Sequence, residues 1–290
     1  MDNRLWCGVF HILGKLPLAA LQVIGSLLGR LNYLLSTSYR KRVHAHLRQA
    51  LGGEGEVLAS RVAAEEGKWL AELPWIWTHA HPRVLAWAQA EGWERVEAHR
   101  AAGKGVLVLL PHLGPFEMLG QFAVGKAPFA AMYRRPRQAW LEPVIIAGRS
   151  RGVGVLAPAD LGGVRILVRA LREGRVVFLL PDQVPGGGEG QWAEFFGRPA
   201  YTMTLAARLS MLPNTATLVA SARRLPRGDG CLLEFFDPPV PLQGEVAQRV
   251  EAINRGMEWL IRRCPEQYLW SYNRYKVPAG VARPETLEHS

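Results

Sequence analysis

The residues best suited to chemistry lie in Val106-Leu107-Val108-Leu109-Leu110-Pro111-His112-Leu113-Gly114-Pro115-Phe116-Glu117. An apolar run of strand character ends at Leu110, and His112 follows at its carboxyl end, where open α/β sheets collect their ligands. Glu117 comes five residues later. On one continuous helix that spacing would turn Glu117 about 140° away from His112. Gly114 permits a tight turn and Pro115 suits a first helical turn, so His112 is expected in the loop, with Glu117 coming around to meet its imidazole. A carboxylate behind a histidine fixes its tautomer and stabilises the imidazolium once the other nitrogen has taken a proton. The pair has no nucleophile of its own, so the reaction it suits is activation of an acceptor hydroxyl.

Other polar groups follow strand-like runs. Tyr133-Arg134-Arg135-Pro136 and Pro181-Asp182-Gln183 belong on the same sheet rim as His112, where arginines bind phosphate or stabilise a developing oxyanion. Gly148-Arg149-Ser150-Arg151-Gly152 matches the serine-hydrolase pattern formally. It is read as coincidence, because a strand follows the Ser and the only downstream histidine is His289. The His44-x-His46 and His79-x-His81 pairs lack a third ligand at metal spacing, and no metal is assigned. Cys7, Cys231 and Cys264 show no pair spacing, and a reducing compartment is the default.

These residues need a framework. Short apolar runs at Val106–Leu110, Ala130–Tyr133, Val153–Leu156, Val176–Leu180, Ala216–Ala220 and Leu232–Phe236 alternate with helical stretches near Phe116–Val124, Trp140–Ala147, Gly163–Arg172 and Tyr201–Met211. That alternation predicts an α/β fold, a mostly parallel central sheet flanked by helices. A closing helix over about Glu245–Cys264 puts Val246, Val250, Ile253, Met257 and Ile261 on one face. Residues 38 to 100 read as helical, interrupted by Pro74 and Pro82. Gly186–Gly190 reads as a mobile loop.

The N-terminal 37 residues stand apart from the α/β domain expected over 38–290. The charge-free stretch Leu16–Gly29 has 14 residues, short of the ~20 that span a bilayer. Extension back to Leu5 reaches spanning length but puts Lys15 near mid-depth. Arg30, Arg40, Lys41, Arg42 and Arg48 follow directly, as expected of a membrane anchor or interfacial helix held on the cytoplasmic side. In the whole chain of 290 residues, 49% are hydrophobic and 21% charged, which excludes a disordered protein. The net charge of +10 comes from 29 Arg and 6 Lys against 25 acidic residues, and points to an anionic partner. Nucleic acid is disfavoured, since no RNP-like or helix-turn-helix signature appears.

Taken in order, the apolar N-terminus, His112-x4-Glu117, Tyr133-Arg134-Arg135-Pro136 and the arginine-rich Gly148–Gly152 segment form a recognisable array. It continues through Ala170–Gly174, Pro181-Asp182-Gln183, Phe195-Phe196-Gly197 with Tyr201–Thr204, Pro265-Glu266-Gln267-Tyr268-Leu269-Trp270 and Asn273-Arg274-Tyr275-Lys276. This array resembles the late acyltransferases of lipid A biosynthesis, the lauroyl/myristoyl transferase family within the wider lysophospholipid acyltransferase superfamily. The resemblance implies an inner-membrane enzyme, its catalytic domain on the cytoplasmic side, that uses no cofactor. It would move an acyl chain from an acyl carrier protein thioester to a hydroxyl of a phosphorylated glycolipid, the lipid A precursor. It also implies His112 as general base and Glu117 as its support. Arg134, Arg135 or Arg149 would bind sugar phosphate or steady the tetrahedral intermediate, and Asp182 would support the rim. The alternative within the superfamily is a lysophospholipid or glycerolipid acyltransferase using acyl-CoA or acyl carrier protein.

Overall fold

The computed structural model describes residues 3–284 apart from 137, 139, 152, 153 and 187. Nine strands are present among the described residues: β1 (Ala88–Glu91), β2 (Gly105–Leu109), β3 (Phe129–Tyr133), β4 (Gly154–Pro158), β5 (Val176–Leu179), β6 (Gly190–Phe195), β7 (Arg198–Met203), β8 (Thr215–Arg224) and β9 (Cys231–Phe236). Seven form one sheet in the order β1-β9-β8-β2-β5-β3-β4. The pairings from β8 through β4 are all parallel, and only β8 with β9 is antiparallel. The architecture is therefore the mostly parallel α/β sheet that strand–helix alternation predicts. Its five co-directional strands bring their carboxyl ends to one rim.

Alternation along the central strands builds a core on each face of the sheet. Val106, Val108, Val176 and Phe178 enter one buried cluster, and Leu107, Leu109, Val177 and Leu179 the other. The amphipathic helix Val246–Arg263 covers the second face with Val250, Ile253, Met257 and Ile261, its start closed by a reciprocal Glu245–Gln248 capping box.

Three elements depart from the sequence reading. Pro74 lies inside a continuous helix, Ala59–Thr78, and does not break it. The last turn of that helix is held by burial of Trp75, Ile76 and Trp77, and the Thr78 hydroxyl donates to the Pro74 carbonyl at 2.6 Å. The helical reading of 38–100 also hides the edge strand β1, and the helix expected over Tyr201–Met211 is the end of β7 followed by the helix Leu205–Ser210. β6 and β7 pair as a separate antiparallel hairpin, turned at Phe196 (φ 50°) and Gly197 (φ 70°). Two positive φ values fit a two-residue hairpin turn, which Gly accepts freely and Phe at some strain. Val153, the expected start of β4, and Gly187 of the expected mobile loop lie outside the described residues.

The N-terminal half holds four long helices: α1 (Asn3–Gly14), α2 (Leu18–Leu35), α3 (Thr37–Leu51) and α4 (Ala59–Thr78). α2 and α4 meet backbone to backbone. A Cβ added to Gly67 of α4 would lie 1.9 Å from the Gly25 carbonyl oxygen, a contact no side chain can take. Gly67→Val is expected to lose at least the ~1–3 kcal/mol of an overpacked core, read as a fall in melting temperature.

Candidate active site

β2 and β5 are parallel neighbours with Leu109 opposite Leu179. His112 and Asp182 each stand three residues beyond those partners, so the register alone carries both to one point on the rim. Asp182 Oδ1 lies 2.7 Å from His112 Nδ1, and Oδ2 accepts the His112 backbone N–H at 2.9 Å. The carboxylate therefore grips ring and main chain together. An acceptor-only carboxylate places the ring proton on Nδ1. Nε2 is then left with its lone pair, which takes the Gln183 side-chain amide at 3.1 Å. This is the tautomer a general base requires.

Burial of Asp182 pushes its carboxyl up, but the facing His112, its two hydrogen bonds and the Arg274 charge pull it further down, below the ordinary carboxylate range. A carboxyl with a depressed folded pKa contributes stability that is complete above its unfolded pKa of ~3.9 and is lost as pH falls through the folded value. Melting curves taken from neutral pH downward are expected to show that acid limb, and Asp182→Asn is expected to flatten it.

The turn that delivers His112 is locked from the C-terminal segment. Gly114 (φ 57°) donates to the Gln267 carbonyl at 2.8 Å, and His112 O accepts from Leu269 N at 3.2 Å. A Cβ on Gly114 would lie 2.1 Å from the Ala222 carbonyl oxygen, so the close approach to β8 requires glycine. Tyr268 is buried beneath the pair; burial first, then the Asp182 charge, holds its phenol well above its ordinary pKa and keeps it protonated. Arg274, also buried, bonds the Tyr201 carbonyl at 2.8 Å and Thr202 Oγ1 at 2.6 Å. A small cavity opens at His112, lined by Glu65, Glu66 and Trp69 of α4 together with Phe116, Gln267 and Leu269.

The contact expected between His112 and Glu117 is replaced by the one with Asp182. Glu117 opens the helix Glu117–Ala123 and turns away to Arg149, whose Nε donates at 2.9 Å while Nη2 meets the other oxygen. Trp77 Nε1 adds a third donor at 3.3 Å, and the Arg149 guanidinium lies over the Trp77 ring. Phe116, the residue before Glu117, packs edge-on against the His112 ring at 5.0 Å. Removal of the Glu117 charge leaves a half-buried arginine and a buried indole N–H short of an acceptor. Glu117→Gln is expected to cost about 1–3 kcal/mol, measured by chemical denaturation.

Arg134 and Arg135 lie on the same rim beyond β3, exposed to solvent; Arg135 reaches Glu142 at 3.5 Å. Neither hydrogen-bonds His112 or Asp182 among the described residues. The serine pattern has no elbow: Ser150 ends the helix Leu141–Ser150 and its hydroxyl donates to the Ile146 carbonyl, while Gly152 and His289 lie outside the described residues. His44, His46 and His81 each spend a ring nitrogen on a protein oxygen. Among the described residues no group of three His, Cys, Asp or Glu side chains is placed to hold a metal.

The α4 residues Glu65, Glu66 and Trp69 escape a reading by local spacing, and the rim placement of Gln183 and the motif that holds Tyr268 do not reveal their contacts. One signal for the His112–Asp182 pair is nevertheless present: Leu109-Leu110-Pro111-His112 and Leu179-Leu180-Pro181-Asp182 are the same ending on two strands.

Comparison with known proteins shows the family. The chain is 26% identical over 288 residues to the lipid A biosynthesis lauroyltransferase of Escherichia coli K12, covering 96% of this chain and 92% of that one. It is 27% identical over 280 residues to the lipid A biosynthesis palmitoleoyltransferase of the same organism, covering 94% and 90%. The same identity and coverage relate it to a lipid A biosynthesis acyltransferase of Shigella flexneri. Residues 3–277 match the family described as bacterial lipid A biosynthesis acyltransferase. With a match over nearly its whole length, the chain belongs to that family and is an acyltransferase.

Proposed function

We propose that this acyltransferase moves a fatty acyl chain from an acyl carrier protein thioester to a hydroxyl of a lipid A precursor, at the cytoplasmic face of the inner membrane. The observation that carries the reading is the His112–Asp182 pair, with the carboxylate on Nδ1 and His112 among the residues that line a small cavity on the sheet rim. Its relatives' names supply the acceptor pathway and the fatty character of the donor. A chain with net charge +10 attracts both an acidic carrier and a phosphorylated glycolipid.

In this mechanism the acceptor hydroxyl displaces the Gln183 amide and gives its proton to His112 Nε2 as its oxygen attacks the thioester carbonyl carbon. The tetrahedral intermediate collapses with loss of the thiolate, which takes the proton back from the imidazolium. Asp182 holds the ring and stabilises the imidazolium between the two transfers. No covalent enzyme intermediate forms. Glu117 acts as a positioning residue through Arg149, which it fixes against Trp77. Arg134 and Arg135, exposed on the rim, meet the acceptor's phosphates.

The test is mass spectrometry of lipid A from cells with and without the gene, and of a purified reaction with acyl carrier protein thioesters. One added acyl chain on the glycolipid is the expected result. Acylation of a glycerol phosphate in preference to the glucosamine disaccharide, or a strict requirement for acyl-CoA, would overturn the assignment.

A further inference from the structure

The helix α2 has two unlike faces. Leu21 and Gly25 are buried against α4, while Val23, Ile24, Leu27, Leu28, Leu31, Leu34 and Leu35 form an outward row, Leu34 67% exposed. By length and composition this helix alone among the described residues qualifies to cross a membrane. Its packing argues otherwise.

The inner face is fastened along its length to α4. Just before it, a Cβ on Gly14 at the end of α1 would lie 2.1 Å from Thr78 Oγ1; within α2, Gly25 touches Gly67 and a Cβ on Gly29 would lie 1.9 Å from the Ala63 carbonyl oxygen. Gln22 donates to Glu72 at 2.8 Å, and Glu72 is itself clamped by Arg224 of β8 at 2.7 and 2.8 Å. α1 joins the same surface, with Phe10 stacked 5.9 Å from Trp77 of α4. A rod of 18 residues is ~27 Å long, so α2 set across a ~30 Å hydrocarbon layer would carry α4 through with it. That helix bears Arg61, Glu65, Glu66, Lys68 and Glu72 and lines the His112 cavity. Charges at such depth are costly.

Laid in the plane of the membrane, the same helix puts its outward row, with Ile12 and Leu13 of α1, into one leaflet and leaves α4 on the water side. Charge agrees: residues 3 to 53 hold seven Lys and Arg and no Asp or Glu, and such a basic segment suits anionic headgroups. We propose that α1 and α2 form an in-plane anchor seated in a single leaflet of an anionic bilayer, which holds the α4-lined His112 cavity beside the headgroups. This rests on the membrane-associated reading above. It gives the lipid acceptor a short lateral path into the site, with no need to leave the bilayer.

The test uses the full chain with Cys7→Ser and one new cysteine, Lys15→Cys before α2 or Thr37→Cys after it. Both positions are exposed, and Cys231 and Cys264 are buried. A membrane-impermeant maleimide is applied to spheroplasts and to inside-out vesicles. Both sites are expected to label from the same side; labelling from opposite sides overturns the proposal. A fluorophore at Val23, Leu27, Leu31 or Leu34 gives a second readout in vesicles of phosphatidylethanolamine and phosphatidylglycerol. Similar shallow depths at all four support the in-plane anchor, and a steady descent toward the bilayer centre contradicts it. A protein that fails to float with these vesicles at all removes the membrane-associated reading itself.

Discussion

Replacement of His112 by Ala is expected to lower kcat for acyl transfer by about 10²–10⁴-fold, the usual contribution of a positioned general base. The ring is a sixth exposed and its removal empties the rim rather than the core, so the variant is expected to fold. Its melting temperature and its binding of the acceptor should stay near those of the native protein. Steady-state transfer of a labelled acyl chain reads the first quantity, and acceptor titration the second. Near-normal turnover in a folded His112→Ala protein would contradict the base assignment, whatever the remaining contacts.

The second large effect belongs to Asp182→Asn. The carboxylate accepts from both Nδ1 and the His112 main chain, and it is almost wholly buried. A carboxamide there can turn a donor toward Nδ1, which moves the ring proton to Nε2 and blocks the nitrogen that must accept. Loss of about 10³–10⁴-fold in kcat is expected, the scale seen when an orienting carboxylate becomes an amide and its histidine adopts the wrong tautomer. KM should change little, because Asp182 is buried behind the His112 ring. Glu117→Gln separates the two acids: its effect should run through Arg149 and be accompanied by lost stability, without a change in the His112 tautomer.

The sheet was legible because β2, β5 and β9 are short apolar runs set between helical stretches, and each run can be seen without its neighbours. His112 was legible for the same reason, as a lone imidazole at a strand end. Its acidic partner was not, since the sequence offers Glu117 at close range and Asp182 seventy residues away. Only the parallel register of β2 with β5 brings Asp182 to the ring. Local spacing also cannot show that Glu117 is taken by Arg149, which arrives from the helix Leu141–Ser150. Pro74 misleads in the opposite direction, for the burial of Trp75 and Trp77 outweighs its local preference. The β6–β7 hairpin carries its signal in Phe196-Gly197, a turn pair whose first residue is not a usual turn former.

In this mechanism Asp182 presents His112 with Nδ1 protonated and Nε2 free to accept. Long-range proton–nitrogen NMR correlation on the nitrogen-labelled protein, with His112→Ala used to assign the ring, reads that tautomer directly. A protonated Nδ1 and a bare Nε2 are predicted at neutral pH, with the pattern reversed in Asp182→Asn. A proton resident on Nε2 in the native protein, or a ring that ignores the Asp182 substitution, would contradict it.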